Sequence, residues 1–259
     1  MELGIAGKVA LVAAASQGLG RATARRLAQE GARVAICARH HDALARAAAE
    51  ISDETGSLVL PVACDLTRGE DIERFVSVAA ERLGPPEILV TNCGGPLAGP
   101  PLSFSDSDWQ HAFDQVFLSA VRLLRASLPH MQAGKWGRIV CITSISVVQP
   151  LDHLVLSNTM RSAVVALVRT MASDLAAHGI TVNAVAPGPF ETERMQSLLR
   201  AAAARADIDV EEAVSRWGLR ARMGRSGDPD ELAAVIAFLC SVPASFVTGA
   251  IVPVDGCSR

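Results

Sequence analysis

Short apolar segments alternate with longer amphipathic segments along the whole chain. The short segments are rich in Val and Ile and lack regular polar alternation, which is typical of central parallel strands covered on both faces. Strands are predicted at residues 9–14, 33–37, 58–65, 87–92, 137–143, 181–188 and 250–256. Helices are predicted at residues 19–30, 41–55, 69–83, 106–132, 157–178 and 228–240. This alternation predicts an α/β fold with a doubly wound parallel sheet of about seven strands and helices on both faces.

The ends of these segments carry typical helix signals. Asp106 and Asp228 are predicted N-caps, and Gly31 and Gly179 are predicted to end helices. Residues 189–226 interrupt the alternation between the last two strands. We expect this lid segment to be a mobile helical lid over a site, with a plain surface excursion as the alternative. Since no linker or repeat is visible, we expect one domain over residues 1–259.

Composition narrows the function classes. Half of the 259 residues are hydrophobic, which suffices for one sizeable core. The net charge is −3 without a basic block, which argues against a nucleic-acid partner. No apolar run approaches the ~20 residues that cross a membrane, and the first residues lack the pattern of a signal peptide. We therefore expect a cytoplasmic protein that acts on a small molecule.

The cysteines and histidines show no metal-binding spacing. The six cysteines are scattered without a C-x-x-C pair and are expected to be free thiols, mostly buried in strands. They are Cys37, Cys64, Cys93, Cys141, Cys240 and Cys257. We accordingly predict no metal site.

A glycine-containing turn follows the first predicted strand. In "AAASQGLGRATARRLAQEG", Ala14, Gly18 and Gly20 lie between that strand and the next helix. Such a turn lets the backbone approach a pyrophosphate, which rests on the positive helix N-terminus. The spacing A-x-x-x-G-x-G differs from the common G-x-G-x-x-G. Its position after the first strand nevertheless favours dinucleotide binding.

The end of the second strand indicates which dinucleotide is bound. An acidic residue there would hold a free ribose 2′-hydroxyl. This chain has Ala38 and Arg39, with no acid before Asp42. Because an arginine pairs well with a 2′-phosphate, the sequence favours NADP(H). The alternative is that Arg39 is a solvated surface residue.

With these motifs the whole chain resembles a short-chain dehydrogenase/reductase, most like the β-ketoacyl-carrier-protein reductase group. The matching segments are "AAASQGLG" (family TGxxxGxG), "CDL", "TNCGG" (family NNAG), "GRIVCITS", "HGITVNAVAPGPFETE" (family PGxxxT) and "VTGAIVPVDGC". The resemblance implies a Rossmann-type fold, an oxidoreductase and a homo-oligomer, a tetramer or a dimer. It implies cofactor contacts from Ala14, Ser16, Gln17, Gly18, Leu19, Gly20, Arg39, Asp65, Leu66, Asn92, Gly94, Arg161, Pro187, Gly188 and Thr192.

The family's catalytic tetrad of Asn, Ser, Tyr and Lys is not intact. The aligned positions hold Val116, Ser144, Ser157 and Arg161, so that only the serine is kept. The chain contains no tyrosine and only two lysines, neither of them near this stretch. The segment "SNTMR" resembles a divergent branch of the family with similarly incomplete tetrads.

The replacements change the available acid–base chemistry. A serine hydroxyl is a far weaker acid than a phenol, whose pKa is ~10, so Ser157 is predicted to donate a hydrogen bond or to fill space. Arg161 keeps its charge and can hold a ribose or stabilise an oxyanion, with a salt bridge or a subunit contact as the alternative. His153 titrates near neutrality and is the predicted proton donor, unless it lies on the surface.

Together these features predict an NADP(H)-dependent oxidoreductase that reduces a small carbonyl compound or a conjugated enone. Hydride addition to the β-carbon of an enone gives a delocalised enolate, which Ser144 and Arg161 could stabilise while water supplies the proton. One rival hypothesis is a catalytically inactive NADP(H)-binding protein. Another is a non-redox enzyme on the same fold, because halohydrin dehalogenases resemble this family and carry an arginine in their catalytic set.

Overall fold

The structure is a computed structural model that describes residues 2–218 and 221–258. Its strands are β1 (Val9–Val12), β2 (Arg33–Ala38), β3 (Val59–Ala63), β4 (Ile88–Thr91), β5 (Gly137–Ile142), β6 (Ile180–Pro187) and β7 (Ile251–Val254). They form one parallel sheet in the order β3-β2-β1-β4-β5-β6-β7. At its centre, Leu11 of β1 lies opposite Ala35 of β2 and Leu89 of β4. The predicted doubly wound, Rossmann-type α/β fold is confirmed.

Helices connect the strands and cover both faces of the sheet. They are α1 (Gly18–Gln29), α2 (His41–Thr55), α3 (Gly69–Leu83), α4 (Asp106–Ala112), α5 (Ser119–Gly134), α6 (Val155–Leu175), α7 (Glu193–Ala206), α8 (Val210–Gly218) and α9 (Pro229–Leu239). The predicted N-cap Asp228 is confirmed, since its side chain accepts from the Asp230 amide at the start of α9. Gly31 and Gly179 end helical segments with φ of +82° and +73°.

The predicted helix 106–132 is wrong as a single element. A π-helical segment, Phe113–Leu118, separates α4 from α5. Apolar periodicity does not reveal such a segment, because the π-turn changes the hydrogen-bond register without breaking the helical course. The predicted cap Asp106 is also wrong. Ser105 is the N-cap of α4, and its hydroxyl accepts from the Asp108 amide.

Successive strand residues point to opposite faces, and each face has its own core. Leu11 packs in one cluster with Phe75 of α3, and Val12 packs in the other with Leu27 of α1 and Ile236 of α9. All five side chains are fully buried. Burial of each large one stabilises the fold by about 1.5–3 kcal/mol. Both faces being covered explains why the strands are uninterrupted apolar runs.

The lid segment contains α7 and α8 and a small core of its own. Leu199 and Ala203 of α7 pack with Ala213 of α8. At its base, Phe190 and Gly227 form an isolated parallel bridge. A Cβ on Gly227 would lie 2.6 Å from Cε1 of Phe190, so this close approach needs a glycine. The segment therefore leaves and rejoins the sheet domain at one point, while its mobility stays a prediction.

Four thiols are buried as expected, at Cys37, Cys64, Cys141 and Cys240, whereas Cys257 is exposed. Among the described residues no helix is long and apolar enough to cross a membrane.

Candidate functional site

A cavity of about 430 Å³ opens at the carboxyl edge of the sheet. Its walls include residues that end or follow several strands, among them Ala14, Ala38, Asn92, Thr143 and Pro187. The strand order reverses between β1 and β4, and doubly wound sheets bind ligands in the crevice at this edge. The topology therefore places the cavity where a ligand is expected.

Nearly all of the predicted site residues line this one cavity. They are Ala14, Ser16, Gln17, Gly18, Leu19, Arg39, Asp65, Leu66, Asn92, Gly94, Ser144, Ser157, Arg161, Pro187, Gly188 and Thr192. Gly20 lies behind the lining, where a Cβ would come within 2.4 Å of the carbonyl oxygen of Ala14. His153 is exposed and lies outside the cavity lining. Its backbone carbonyl accepts from the Gly99 amide at 2.7 Å, and this placement gives no support to His153 as a proton donor.

The turn after β1 fits a dinucleotide pyrophosphate. The first-turn amides of α1 receive no side-chain cap from Gln17 and line the cavity with Gly18. Uncapped amides at a helix N-terminus bind anions. Thr192 also lines the cavity, with its Cγ2 3.5 Å from where a Cβ on Gly18 would lie. Ala14 occupies this turn with φ of +49°, in the left-handed region that favours glycine.

Arg39 and Asp65 line the same cavity beyond this turn. Burial raises the pKa of Asp65, but hydrogen bonds from Thr67 and the charge of Arg39 outweigh burial and hold that pKa below its ordinary value. Asp65 is therefore ionised, with Oδ1 accepting from the Thr67 amide at 2.9 Å. Among the described residues Arg39 has no carboxylate within salt-bridge distance, so its exposed guanidinium is available to a ligand.

The guanidinium of Arg161 is buried and fixed at the end of β5. Its Nη1 donates to the carbonyl oxygens of Ile142 at 2.9 Å and Thr143 at 3.0 Å. Its Nε donates to Oγ of Ser157, one turn earlier on α6, at 3.2 Å. These partners are all neutral. A buried cation without an anion is costly, which favours a site that receives negative charge.

The two serines beside Arg161 differ in their free hydrogen-bonding groups. Ser144 Oγ accepts from the Ser146 amide at 3.1 Å, which leaves its hydroxyl proton free to be donated into the cavity. Ser157 is 8% exposed, and its oxygen is occupied by Arg161. Val116 is buried in the π-helical segment and offers no polar group.

Sequence reasoning missed Cys93 as a site residue. Its Sγ lies 3.9 Å from Nη2 of Arg161. Burial raises the pKa of this thiol above its ordinary value of 9.0, although the charge of Arg161 acts in the opposite direction. The thiol therefore stays protonated at neutral pH. Its position between Asn92 and Gly94, two predicted cofactor contacts, was the available signal.

Arg194 of α7 is a second missed residue. It lines the cavity from the lid segment, and its Nη2 donates to the carbonyl oxygen of Pro96 at 2.7 Å. Burial, and then the positive charge of Arg161, lower the pKa of Arg194. No local sequence signal marks this arginine, because its place depends on how the lid segment packs.

Within the described part of the chain, no group of three or more His, Cys, Asp or Glu side chains is placed to hold a metal ion.

Comparison with known proteins identifies the family. A family profile described as enoyl-(acyl carrier protein) reductase matches residues 13–257. Dehydrogenase/reductase SDR family member 4 of Oryctolagus cuniculus is 34% identical over 253 residues, which cover 97% of this chain and 94% of that protein.

Two solved structures are similar to this chain in both fold and sequence. L-Sorbose reductase from Gluconobacter frateurii, complexed with NADPH and L-sorbose, has a TM-score of 0.94 and 32% identity over 99% of this chain and 98% of that one. A variant of actinorhodin polyketide ketoreductase with NADPH has a TM-score of 0.94 and 32% identity over 97% of each chain. With the cavity described above, these similarities establish that the chain belongs to the short-chain dehydrogenase/reductase family of oxidoreductases.

Proposed function

We propose that the protein is an NADP(H)-dependent oxidoreductase that reduces a small carbonyl compound or conjugated enone without the Tyr–Lys pair of its family. The observation that carries this proposal is the meeting of Ser144, Ser157 and Arg161 in the cavity of a chain that has no tyrosine. We propose a cytoplasmic location and a homo-oligomeric assembly with it.

The cavity offers complementary groups for each part of NADP(H). Arg39 would pair with the 2′-phosphate, and the uncapped amides at Gly18 would hold the pyrophosphate. Asp65 would contact the adenine, while Gly188 and Thr192 would meet the nicotinamide. The support is the free guanidinium of Arg39, the open α1 N-terminus and the NADPH bound in two similar structures.

NADPH, when bound, supplies a hydride. Reduction of an enone at its β-carbon places negative charge on the carbonyl oxygen, where the hydroxyl of Ser144 can donate a hydrogen bond. The adjacent guanidinium of Arg161 stabilises the same charge electrostatically and keeps its own proton. Because the enolate charge is delocalised, water suffices as the proton source. This route does not require the phenol that the chain lacks.

Ser157 acts in this scheme as a positioning residue. By accepting from Nε of Arg161 it fixes the orientation of the guanidinium against the end of β5. His153 lies outside the cavity lining, so the mechanism assigns it no proton transfer.

Cofactor choice is tested by calorimetric titration with NADPH and NADH. We expect NADPH to bind much more tightly than NADH. Arg39→Ala should weaken NADPH binding by about tenfold or more, since it removes a charge-assisted hydrogen bond, and leave NADH binding unchanged. Binding of neither cofactor would overturn the proposal and favour a cofactor-free function.

Turnover is tested by following NADPH absorbance with a panel of enones and ketones. Ser144→Ala should lower kcat by about 10²–10³-fold, the usual loss on removing one oxyanion donor, without changing cofactor affinity. Ser162→Ala, an exposed serine of α6, is the matched control. Full activity in the double variant Ser144→Ala/Arg161→Met would contradict the mechanism. Binding of NADPH without its consumption by any compound would indicate a binding protein instead.

A further inference from the structure

Two arginines from different elements line the cavity, and neither forms an ion pair with a described acid. Arg161 comes from α6 and is buried, whereas Arg194 comes from α7 in the lid segment and stays exposed to solvent over part of its surface. They are close enough for the charge of Arg161 to lower the pKa of Arg194, after the larger effect of burial. Both guanidinium groups therefore contribute positive potential to the same end of the site.

Neither guanidinium has a counter-ion among the described residues. Arg161 contacts only two carbonyls, a hydroxyl and a thiol, and Arg194 donates to a carbonyl. Some other arginines do pair with a carboxylate, as in the Arg225–Glu231 contact at 2.7 Å. Two neighbouring cations without an anion repel each other. An anionic ligand would relieve this repulsion.

The acids that line the cavity do not supply that anion. Asp65 is bonded to Thr67 in a separate part of the lining. Glu193 precedes Arg194 but is exposed and forms no ion pair with it. A bound anion would therefore complement the two guanidinium groups.

Gly95 provides the space in which Arg194 lies. A Cβ on this glycine would be 2.6 Å from Nε, 2.8 Å from Cζ and 2.9 Å from Nη2 of Arg194. Gly95 does not adopt a positive φ, so its backbone conformation does not require glycine. Glycine at position 95 leaves the space that the Arg194 guanidinium occupies.

We propose that the substrate is a small ketone or enone that bears a carboxylate, and that Arg194 binds this carboxylate. The inference rests on the proposed function and names its substrate class. The phosphates of the cofactor have separate partners at the α1 N-terminus and Arg39, whereas Arg194 shares its end of the cavity with Arg161. An arginine fork matches a carboxylate in geometry and charge. The charge of Arg161 reinforces the attraction and stabilises the enolate oxygen.

The test is calorimetric binding of two probes to the complex of the protein with NADP⁺, which permits no turnover. The probes are 4-oxocyclohex-2-ene-1-carboxylate and its methyl ester. We expect the carboxylate to bind about tenfold to a hundredfold more tightly, the range for a charge-assisted contact. Arg194→Gln should abolish this preference, and Gly95→Ala should reduce it by displacing the guanidinium. Arg200→Gln, an exposed arginine on the same helix, should retain it.

Equal affinity for the two probes, or no binding of the carboxylate, would overturn the inference. So would a loss of NADP⁺ affinity in Arg194→Gln with the preference intact, because Arg194 would then hold the cofactor pyrophosphate. The proposed function fails separately, if NADPH is never consumed although the carboxylate binds selectively. Equal turnover of the acid and the ester would leave the reductase standing without its carboxylate site.

Discussion

Ala14 holds the phosphate-binding turn in a conformation that suits glycine better. Its φ of +49° puts the Cβ close to the following carbonyl, which costs about 1–2 kcal/mol for an L-residue. Its carbonyl oxygen accepts from the Asn92 side chain at 3.3 Å and packs against Gly20. The turn thus has the left-handed backbone conformation that suits the family's glycine, but an alanine adopts it here.

Replacing Ala14 with glycine should stabilise the protein. Relief of the left-handed strain outweighs the added freedom of glycine in the unfolded chain, so we expect the free energy of unfolding to rise by up to about 1 kcal/mol. Urea denaturation measures this change. Ala15→Gly is the matched control, because Ala15 is buried with an ordinary φ and its replacement should be destabilising. The same sign for both variants would show that Ala14 is not strained.

The residues of the candidate site could be predicted from the sequence where a motif fixes their position in the fold. Ser144, Ser157 and Arg161 were identified because they occupy the catalytic positions of the family that the chain resembles, and all three line the cavity. Arg194 could not be found, since it reaches the site through the packing of the lid segment. The position of His153 could not be predicted, because a short loop can direct a side chain towards solvent or towards the cavity.

At the scale of elements, α9 begins with a network of charged groups. Asp228 and Glu231 form a reciprocal capping box, and Arg225 donates to both carboxylate oxygens of Glu231 at 2.7 Å. The hydrogen bonds from Arg225 and from the Asp228 amide lower the pKa of Glu231 from its ordinary 4.5 to about 2. The stability of the α9 N-terminus therefore depends on pH through the ionisation of Glu231.

Glu231→Gln should lower stability in a pH-dependent manner. The folded-state pKa lies below the unfolded one, so the stabilising contribution is complete above pH 4.5 and is lost as the pH falls through about 2. Urea unfolding at a series of pH values should show the two proteins converging as the solution is acidified. Glu81→Gln, at an exposed position of α3, should show no such convergence. A constant difference at all pH values would contradict the role of the Glu231 charge.

The positions and the parallel type of the strands followed from the sequence, because apolar runs buried on both faces leave a clear pattern. The boundaries shifted where the chain turns: β1 ends at Val12, two residues before its predicted end, since Ala14 already belongs to the turn. The π-helical segment between α4 and α5 could not be predicted, because one changed turn does not alter the apolar face.

For the whole molecule, the proposed homo-oligomer would have exposed apolar side chains near the last strand available for its interface. Phe246 is fully exposed, and Val242 and Phe238, which precede it in the chain, are partly exposed. The edge strand β7 carries half-buried residues that include Pro253, which cannot donate to a neighbouring strand. Such apolar surface is characteristic of an interface between copies of one chain.

Light scattering after size exclusion should find a dimer or a tetramer. Phe246→Glu should shift the protein towards the monomer, because it would place a charge in the proposed interface. Leu58→Glu, at an exposed apolar position next to the opposite edge strand β3, should leave the mass unchanged. A monomeric wild-type protein would refute this assembly.

The bridge between Phe190 and Gly227 has a consequence for how such a protein can diversify. Everything between these residues leaves and returns through one narrow base, so a stretch of different length or composition could be spliced in while the seven strands keep their register. The turn after β1 would be inherited intact, whereas the cofactor contact predicted for Thr192 would have to be kept in the new stretch. Natural evolution or protein engineering could thus change the accepted substrate by replacing the lid segment.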